Sequence, residues 1–323
     1  MGVPVVMLAE APEKVVGPEE ADTHRDLVAH GRRAIARRGG LLRRAVLQSP
    51  LVSPLDDRRY ERRRARHAAL VPDVAAEEQS VLDELGTAGV AVRPAELPPD
   101  VVASADRLVD ALRASDAGGP CVKATSRQLA ADPTLFAWGL SDRQLDLAEC
   151  HIGLPARYLG LEVKRERVAS AAGHGHDVVR RWHLDHEDRR ILKVIVYLSD
   201  VPTGGGPFGY IHRSNSDAIL ASGHGRDPEG MSDAAMRTVV PADEWNQVTG
   251  RRLTAIHVDT GRTFHRVFPP TDVERYSVTF AYSSRTPFMV YPHLMPPRDA
   301  IPPLRERFSS RQWDALCVGH GRR

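Results

Sequence analysis

Arg181-Trp182-His183-Leu184-Asp185-His186 sets an imidazole and a carboxylate two positions apart, and a second histidine, His265, follows far downstream with Arg275 ten positions after it. Residues i and i+2 of a β-strand share a face, so His183 and Asp185 are expected to reach one ion together while Leu184 packs the other way. Two imidazoles and one carboxylate on one side of an octahedral ion leave the opposite positions open, a donor set suited to non-haem Fe(II). The chain between His183 and His265 is long enough for several barrel strands to return to the same cavity. Phe268-Pro269-Pro270-Thr271-Asp272 is turn chemistry, because proline fixes φ and Asp tolerates turn geometry. A hairpin placing His265 and Arg275 side by side is therefore expected.

The neighbouring strands divide into two unlike faces. Residues 191–199 are rich in β-branched side chains and run into the turn Asp200-Val201-Pro202-Thr203-Gly204-Gly205-Gly206-Pro207. Leu192, Val194, Val196 and Leu198 make one apolar side; Lys193 and Tyr197 put a cation and a phenol on the other. A buried ammonium needs an anionic partner or a route to water, and lysine is rare here, 4 residues against 40 arginines. In residues 275–282, Tyr276, Val278, Phe280 and Tyr282 alternate with Arg275, Ser277, Thr279 and Ala281. A small polar face carrying a guanidinium suits the wall of a ligand cavity, since the guanidinium fork matches a carboxylate bidentately and Ser277 can add a hydroxyl.

With these residues in view, the chain resembles the Fe(II)/2-oxoglutarate-dependent oxygenases, and within them the phytanoyl-CoA dioxygenase-like family. The resemblance rests on His183-x-Asp185, the distal His265 and Arg275. It extends to the helix, glycine and strand of Val81 to Val92, to Leu145–Leu154 as the helix before the barrel, and to the strand ending Tyr197-Leu198-Ser199-Asp200-Val201 before Gly206-Pro207. It covers roughly residues 78–290. It implies a mainly β fold with flanking helices around a double-stranded β-helix, the cupin-like jelly roll. It also implies Fe(II), 2-oxoglutarate and O2 as cofactor and co-substrates, with succinate and CO2 released and a small organic substrate oxidised, usually by hydroxylation. His183, Asp185 and His265 would be the metal ligands and catalytic centre, Arg275 the co-substrate clamp, and Lys193 a second co-substrate contact. Two points depart from or refine that pattern. The family's Pro-Gly-Ser-His segment is replaced by His212-Arg213-Ser214-Asn215, and retention of Asp185 argues against the related halogenases, in which a small residue makes room for halide. Desaturation, cyclisation and epimerisation remain open to such a centre.

Other readings compete. His257-Val258-Asp259 repeats the spacing, but the histidines after it other than His265, namely His293 and His320, have no clamp arginine in a following strand. His174, His176 and His186 read as a solvated loop or a lid at the barrel mouth, and Arg180 as a surface charge or an anion contact. A jelly-roll zinc hydrolase, with water on the metal, or a non-redox small-molecule-binding protein is the alternative function. Arg275 discriminates, because a hydrolase has no need of a carboxylate clamp.

Composition bounds the rest. A chain of 323 residues with 42% hydrophobic content can bury a substantial core, and a net charge of +2 indicates no global electrostatic partner. Between Arg25 and Arg66 there are 13 arginines against four acidic residues, yet the near absence of aromatics there disfavours a nucleic-acid partner. Cys121, Cys150 and Cys317 lack metal-ligand or disulfide-framework spacing. Val3 to Ala9 is too short to span a membrane, so a cytoplasmic protein without a membrane partner is expected. Three regions are anticipated: an Arg-rich, partly helical extension over 1–77, an oxygenase domain over 78–300, and a C-terminal helix within 301–323 centred on Arg305 to Leu316. Val102, Ala105, Val109 and Leu112 predict a helix, and Ser141 with Gln144 predicts a capping box for the one that Gly153 and Pro155 end.

Overall fold

The computed structural model describes residues 39–40, 42–43, 45–47, 49, 51–168, 178–221, 230–290, 295–296 and 299–316. Nine strands are named: β1 Val90–Pro94, β2 Cys121–Lys123, β3 Ala156–Glu166, β4 Leu192–Tyr197, β5 Phe208–Ile211, β6 Trp245–Val248, β7 Thr254–Asp259, β8 His265–Val267 and β9 Arg275–Ser284. They form a six-stranded sheet of order β1-β7-β4-β9-β3-β2 and a three-stranded sheet of order β6-β5-β8. Every paired strand is antiparallel. Isolated bridges of Trp182 with Met231 and His183 with His265 add a short fourth segment beside β8. From β3 onward the chain crosses repeatedly between the sheets: large, small at 182–183, large at β4, small at β5 and β6, large at β7, small at β8, large at β9. This exchange of sheets is the double-stranded β-helix of a jelly roll.

The alternation read in β4 and β9 is what assembles the core. Leu192, Val194, Val196, Val278, Phe280 and Tyr282 lie on the outer face of the large sheet, in one cluster with helix residues Val81, Leu85, Ala105, Leu108, Leu112, Leu145 and Ile152. The opposite faces look into the barrel, where Tyr197, Phe208, Val248, Ile256 and Val258 pack together. Helix Pro99–Arg113 buries Val101, Ala105, Leu108, Val109 and Leu112; the expected positions Ala105, Val109 and Leu112 face inward, and Val102 is only half-buried while Val101 is fully so. Helix Asp142–Ile152 ends at Gly153 in the left-handed region, but Ser141 makes no side-chain cap. The expected capping box is absent because Gln144 is buried instead of reaching back. The C-terminal helix is split into Pro302–Arg307 and Ser310–Ala315, the second opened by a capping box of Ser309 and Gln312.

The expected β8–β9 hairpin is not formed. β8 pairs with β5 and β9 pairs with β3 and β4, so residues 268–274 carry the chain from one sheet to the other. Two strands adjacent in sequence belong to different layers here because jelly-roll closure assigns them alternately. His265 and Arg275 therefore stand on different sheets of the barrel.

Within the Arg-rich segment, helix Ser53–His67 is anchored to the domain through Tyr60, Arg64 and His67. Tyr60 is buried in the main core, His67 Nε2 lies 2.8 Å from Glu149 Oε1, and Arg64 Nε donates to the Ile152 carbonyl at 3.1 Å. Arg189 pairs with Asp56 and with Asp57. Arg58, Arg59, Arg62 and Arg66 remain exposed. No helix among the described residues is long and apolar enough to cross a membrane. Cys121 and Cys150 are free; Cys317, Val3 to Ala9, His174, His176, His293 and His320 lie outside the described residues.

Helix Ala76–Thr87 turns into β1 through Gly89, whose φ is +84°. A Cβ at this position would lie 2.2 Å from Thr263 Oγ1. Gly89→Ala combines a left-handed backbone with overpacking, and should lower unfolding free energy by about 2–4 kcal/mol in denaturant melts.

Candidate metal centre and co-substrate cavity

His183 and His265 are placed by mutual backbone hydrogen bonds, the amide of each donating to the carbonyl of the other at 3.0 and 3.1 Å. Their rings stand 4.3 Å apart between centroids. His183 Nδ1 contacts the Arg181 carbonyl at 2.8 Å and His265 Nδ1 the Thr263 carbonyl at 3.0 Å. A carbonyl oxygen can only accept, so each Nδ1 carries the proton and each Nε2 presents a lone pair, the tautomer that metal-ligating histidines adopt. Asp185 is not on a continuous strand as anticipated. The ladder ends at His183, and Asp185 is held by its amide donating to the Thr260 carbonyl at 2.8 Å. Its carboxylate nevertheless lies 3.9 Å from His183 Nε2 and 3.8 Å from His265 Nε2.

One ligand atom from each of His183, Asp185 and His265 lies within 4.8 Å of the others, the one such gathering among the described residues. The donor set fits a divalent metal: two imidazoles and one carboxylate, with their donor atoms converging. The rival His257 and Asp259 do not converge. His257 is on the helix-facing side of β7 beside Arg93, with burial first and Arg93 next lowering its pKa to about 4. Asp259 is occupied by His151 at 3.2 Å.

Electrostatics keep the centre in its ligating state. Burial, followed by the neighbouring His183, depresses His265 to about 3, so its imidazole is neutral at ordinary pH. Burial alone would raise the Asp185 carboxyl, but Lys193 and the two histidines outweigh it and hold the group well below the usual carboxylate range. Lys193 Nζ sits 2.6 Å from Asp185 Oδ2 and 3.6 Å from Glu187 Oε1. The anionic partner that a buried ammonium requires is thus Asp185 itself, and Lys193 fixes one carboxylate oxygen while the other stays available. His186 donates its amide to Glu187 Oε2 at 2.9 Å.

Arg275 and Ser277 open the same inward face of β9, both almost wholly buried. Arg275 Nη1 donates to the Gly206 carbonyl and its Nη2 lies 2.9 Å from Glu166 Oε1. Arg275 Nε and Ser277 Oγ are buried polar atoms without a hydrogen-bond partner among the described residues. Glu166, directly across the sheet from Arg275, also pairs with Lys164 at 3.2 Å and with Arg180. Burial raises its pKa, but Lys164, Arg275 and Arg180 together drive it far below the ordinary value. Sequence reading missed Glu166. The one available signal was its parity with Glu162 and Lys164 on β3, which puts a charged row on the barrel-facing side. Arg180, left open between surface charge and anion contact, is a brace: besides Glu166 it donates to the carbonyls of Val267 and Phe268 at 3.3 and 3.1 Å. His212-Arg213-Ser214-Asn215 leads into helix Arg213–Ala221.

No family model and no curated protein matches the chain. Among solved structures it is similar to SnoN, a non-haem α-ketoglutarate-dependent epimerase from nogalamycin biosynthesis, at 20% identity and a TM-score of 0.46, over 66% of this chain and 85% of that one. It is similar to HygX from Streptomyces hygroscopicus, solved with nickel and 2-oxoglutarate bound, at 17% identity and 0.45, over 66% and 88%. A third is AviO1 from Streptomyces viridochromogenes Tue57, at 14% identity and 0.46, over 67% and 98%.

Proposed function

We propose that the chain is a non-haem Fe(II)- and 2-oxoglutarate-dependent dioxygenase of the phytanoyl-CoA dioxygenase-like type, oxidising a small organic substrate by hydroxylation in natural-product biosynthesis. The observation that carries this reading is the convergence of two imidazole Nε2 lone pairs and one carboxylate, with both Nδ1 protons already committed to backbone carbonyls. His183, Asp185 and His265 hold the ion. Iron so held, supplied with 2-oxoglutarate and O2, provides the oxidising equivalents for attack on a C–H bond, with succinate and CO2 as co-products.

The remaining roles belong to side chains. Arg275 Nε and Ser277 Oγ, buried and unpartnered among the described residues, receive the distal carboxylate of 2-oxoglutarate, while Gly206 and Glu166 hold the guanidinium in its rotamer. Lys193 orients Asp185, as partners behind a ligating group do, and lies on the cavity wall where it can also meet the co-substrate. A zinc hydrolase would use the same three ligands but gives the unpartnered Arg275 Nε and Ser277 Oγ no ligand to receive. Anaerobic addition of Fe(II) and 2-oxoglutarate to the purified chain should produce a visible metal-to-ligand absorption band. Well-folded protein that binds both without such a band would refute the assignment.

A further inference from the structure

A cavity of about 400 Å³ lies between the segment 71–74, helix Ala76–Thr87, the end of helix Asp142–Ile152, Arg190 just before β4 and Arg213 at the start of helix Arg213–Ala221. Its charge is arranged inside out for a merely solvated cleft. Asp73 and Asp83, the carboxylates on its wall, are exposed at the rim. The two guanidiniums lie deeper, the Arg213 side chain only 12% exposed.

Neither guanidinium has a close carboxylate partner among the described residues. Arg190 donates through Nη1 to the His151 carbonyl at 3.3 Å. Arg213 donates through Nη1 to the Leu85 and Gly86 carbonyls at 3.3 Å each, and its carboxylate neighbour Asp217 is 3.9 Å away. A guanidinium has five N–H donors, and these hydrogen bonds use one nitrogen of each arginine. Asp259, the buried carboxylate beneath, is already occupied by His151 and by the Ile191 amide. Arg262 adds a further positive charge to the field of both arginines. Asp217 at 3.9 Å from Arg213 and the buried Asp259 shared by both arginines offset this charge only in part, since burial and Arg262 still leave both guanidiniums below their ordinary pKa, and an anion in the cavity would lower the remaining cost.

We propose that this cavity is a binding site for an anionic ligand, a phosphate or carboxylate group held by Arg190 and Arg213, separate from the metal centre. The assignment is independent of the oxygenase reading, since both arginines lie outside the 2-oxoglutarate site and the test needs no iron. The plainer alternative is that the two arginines only cap helix C-termini.

Inorganic phosphate should be titrated calorimetrically into the metal-free full chain at constant ionic strength, with succinate as the carboxylate arm. Saturable binding is expected, with the tighter arm identifying the preferred oxyanion. Arg190→Gln and Arg213→Gln should each weaken it about tenfold or more, the loss that accompanies one charge-assisted hydrogen bond. Arg107→Gln, at an exposed arginine paired with Asp132, should leave it unchanged. If the glutamine variants fail to fold, protection of Arg190 and Arg213 from phenylglyoxal by phosphate, read by peptide mass on the unaltered chain, serves instead. Absence of saturable binding by both anions, affinity unchanged in folded variants, or unprotected arginines would overturn the proposal.

Discussion

Arg275→Ala should weaken 2-oxoglutarate binding by about 10- to 100-fold while leaving Fe(II) binding intact, because the charge-assisted hydrogen bond from Nε is removed at one end of the co-substrate and nothing is changed at the metal. Anaerobic titrations that follow iron and 2-oxoglutarate separately measure the two effects. Equal co-substrate affinity in the variant would refute the clamp. A second consequence concerns stability. Arg275 is one of three cations around the buried Glu166, and deleting one partner of a buried pair costs about 3–5 kcal/mol when the other is left uncompensated. Lys164 and Arg180 remain, so the loss should fall toward or below the low end of that range. The double variant Arg275→Ala/Glu166→Gln should recover part of the stability and none of the co-substrate affinity, which separates folding from binding.

Asp185→Ala should reduce Fe(II) affinity by about 100-fold or more and abolish turnover, since it removes the anionic ligand of the centre. It also leaves the Lys193 ammonium with Glu187, at 3.6 Å, as its nearest carboxylate partner among the described residues and Glu162 farther off. A drop in melting temperature is therefore expected even in metal-free protein, and Lys193→Met in the same chain should restore part of it without restoring iron. Metal analysis after desalting, together with thermal melts, distinguishes the two losses. Iron retained at full occupancy in Asp185→Ala would mean that the carboxylate is not a ligand.

The parts of the fold legible in the sequence were those whose signal is local. The two-residue alternation of β4 and β9 gave both faces, because a strand buried on one side by helices and open on the other to a polar cavity must divide its side chains that way. Helix Pro99–Arg113 was equally readable. What stayed hidden was decided by distant pairing. The Pro-Pro segment 269–270 looks like a hairpin turn from either side, and only closure of the jelly roll puts β8 and β9 in different sheets. Glu166 had no local mark of importance, since its meaning comes from Arg275 across the sheet and Arg180 on the facing wall. Lys193 was correctly singled out as an expensive cation, but its partner Asp185 belongs to a stretch with no regular ladder to set its direction. Ser141 shows the converse case, in which a local capping pattern yields to burial of Gln144.

The reciprocal pair of amide-to-carbonyl bonds joining His183 to His265 makes the spacing of the two imidazoles a property of the sheet. In zinc-finger domains the ligands are brought together by the ion, so binding and folding are one equilibrium and affinity is diluted by the work of ordering the chain. Here the barrel has already done that ordering. The affinity of this site should therefore report the chemistry of its three donors directly, and exchange of one divalent ion for another is a local event that the rest of the chain need not register.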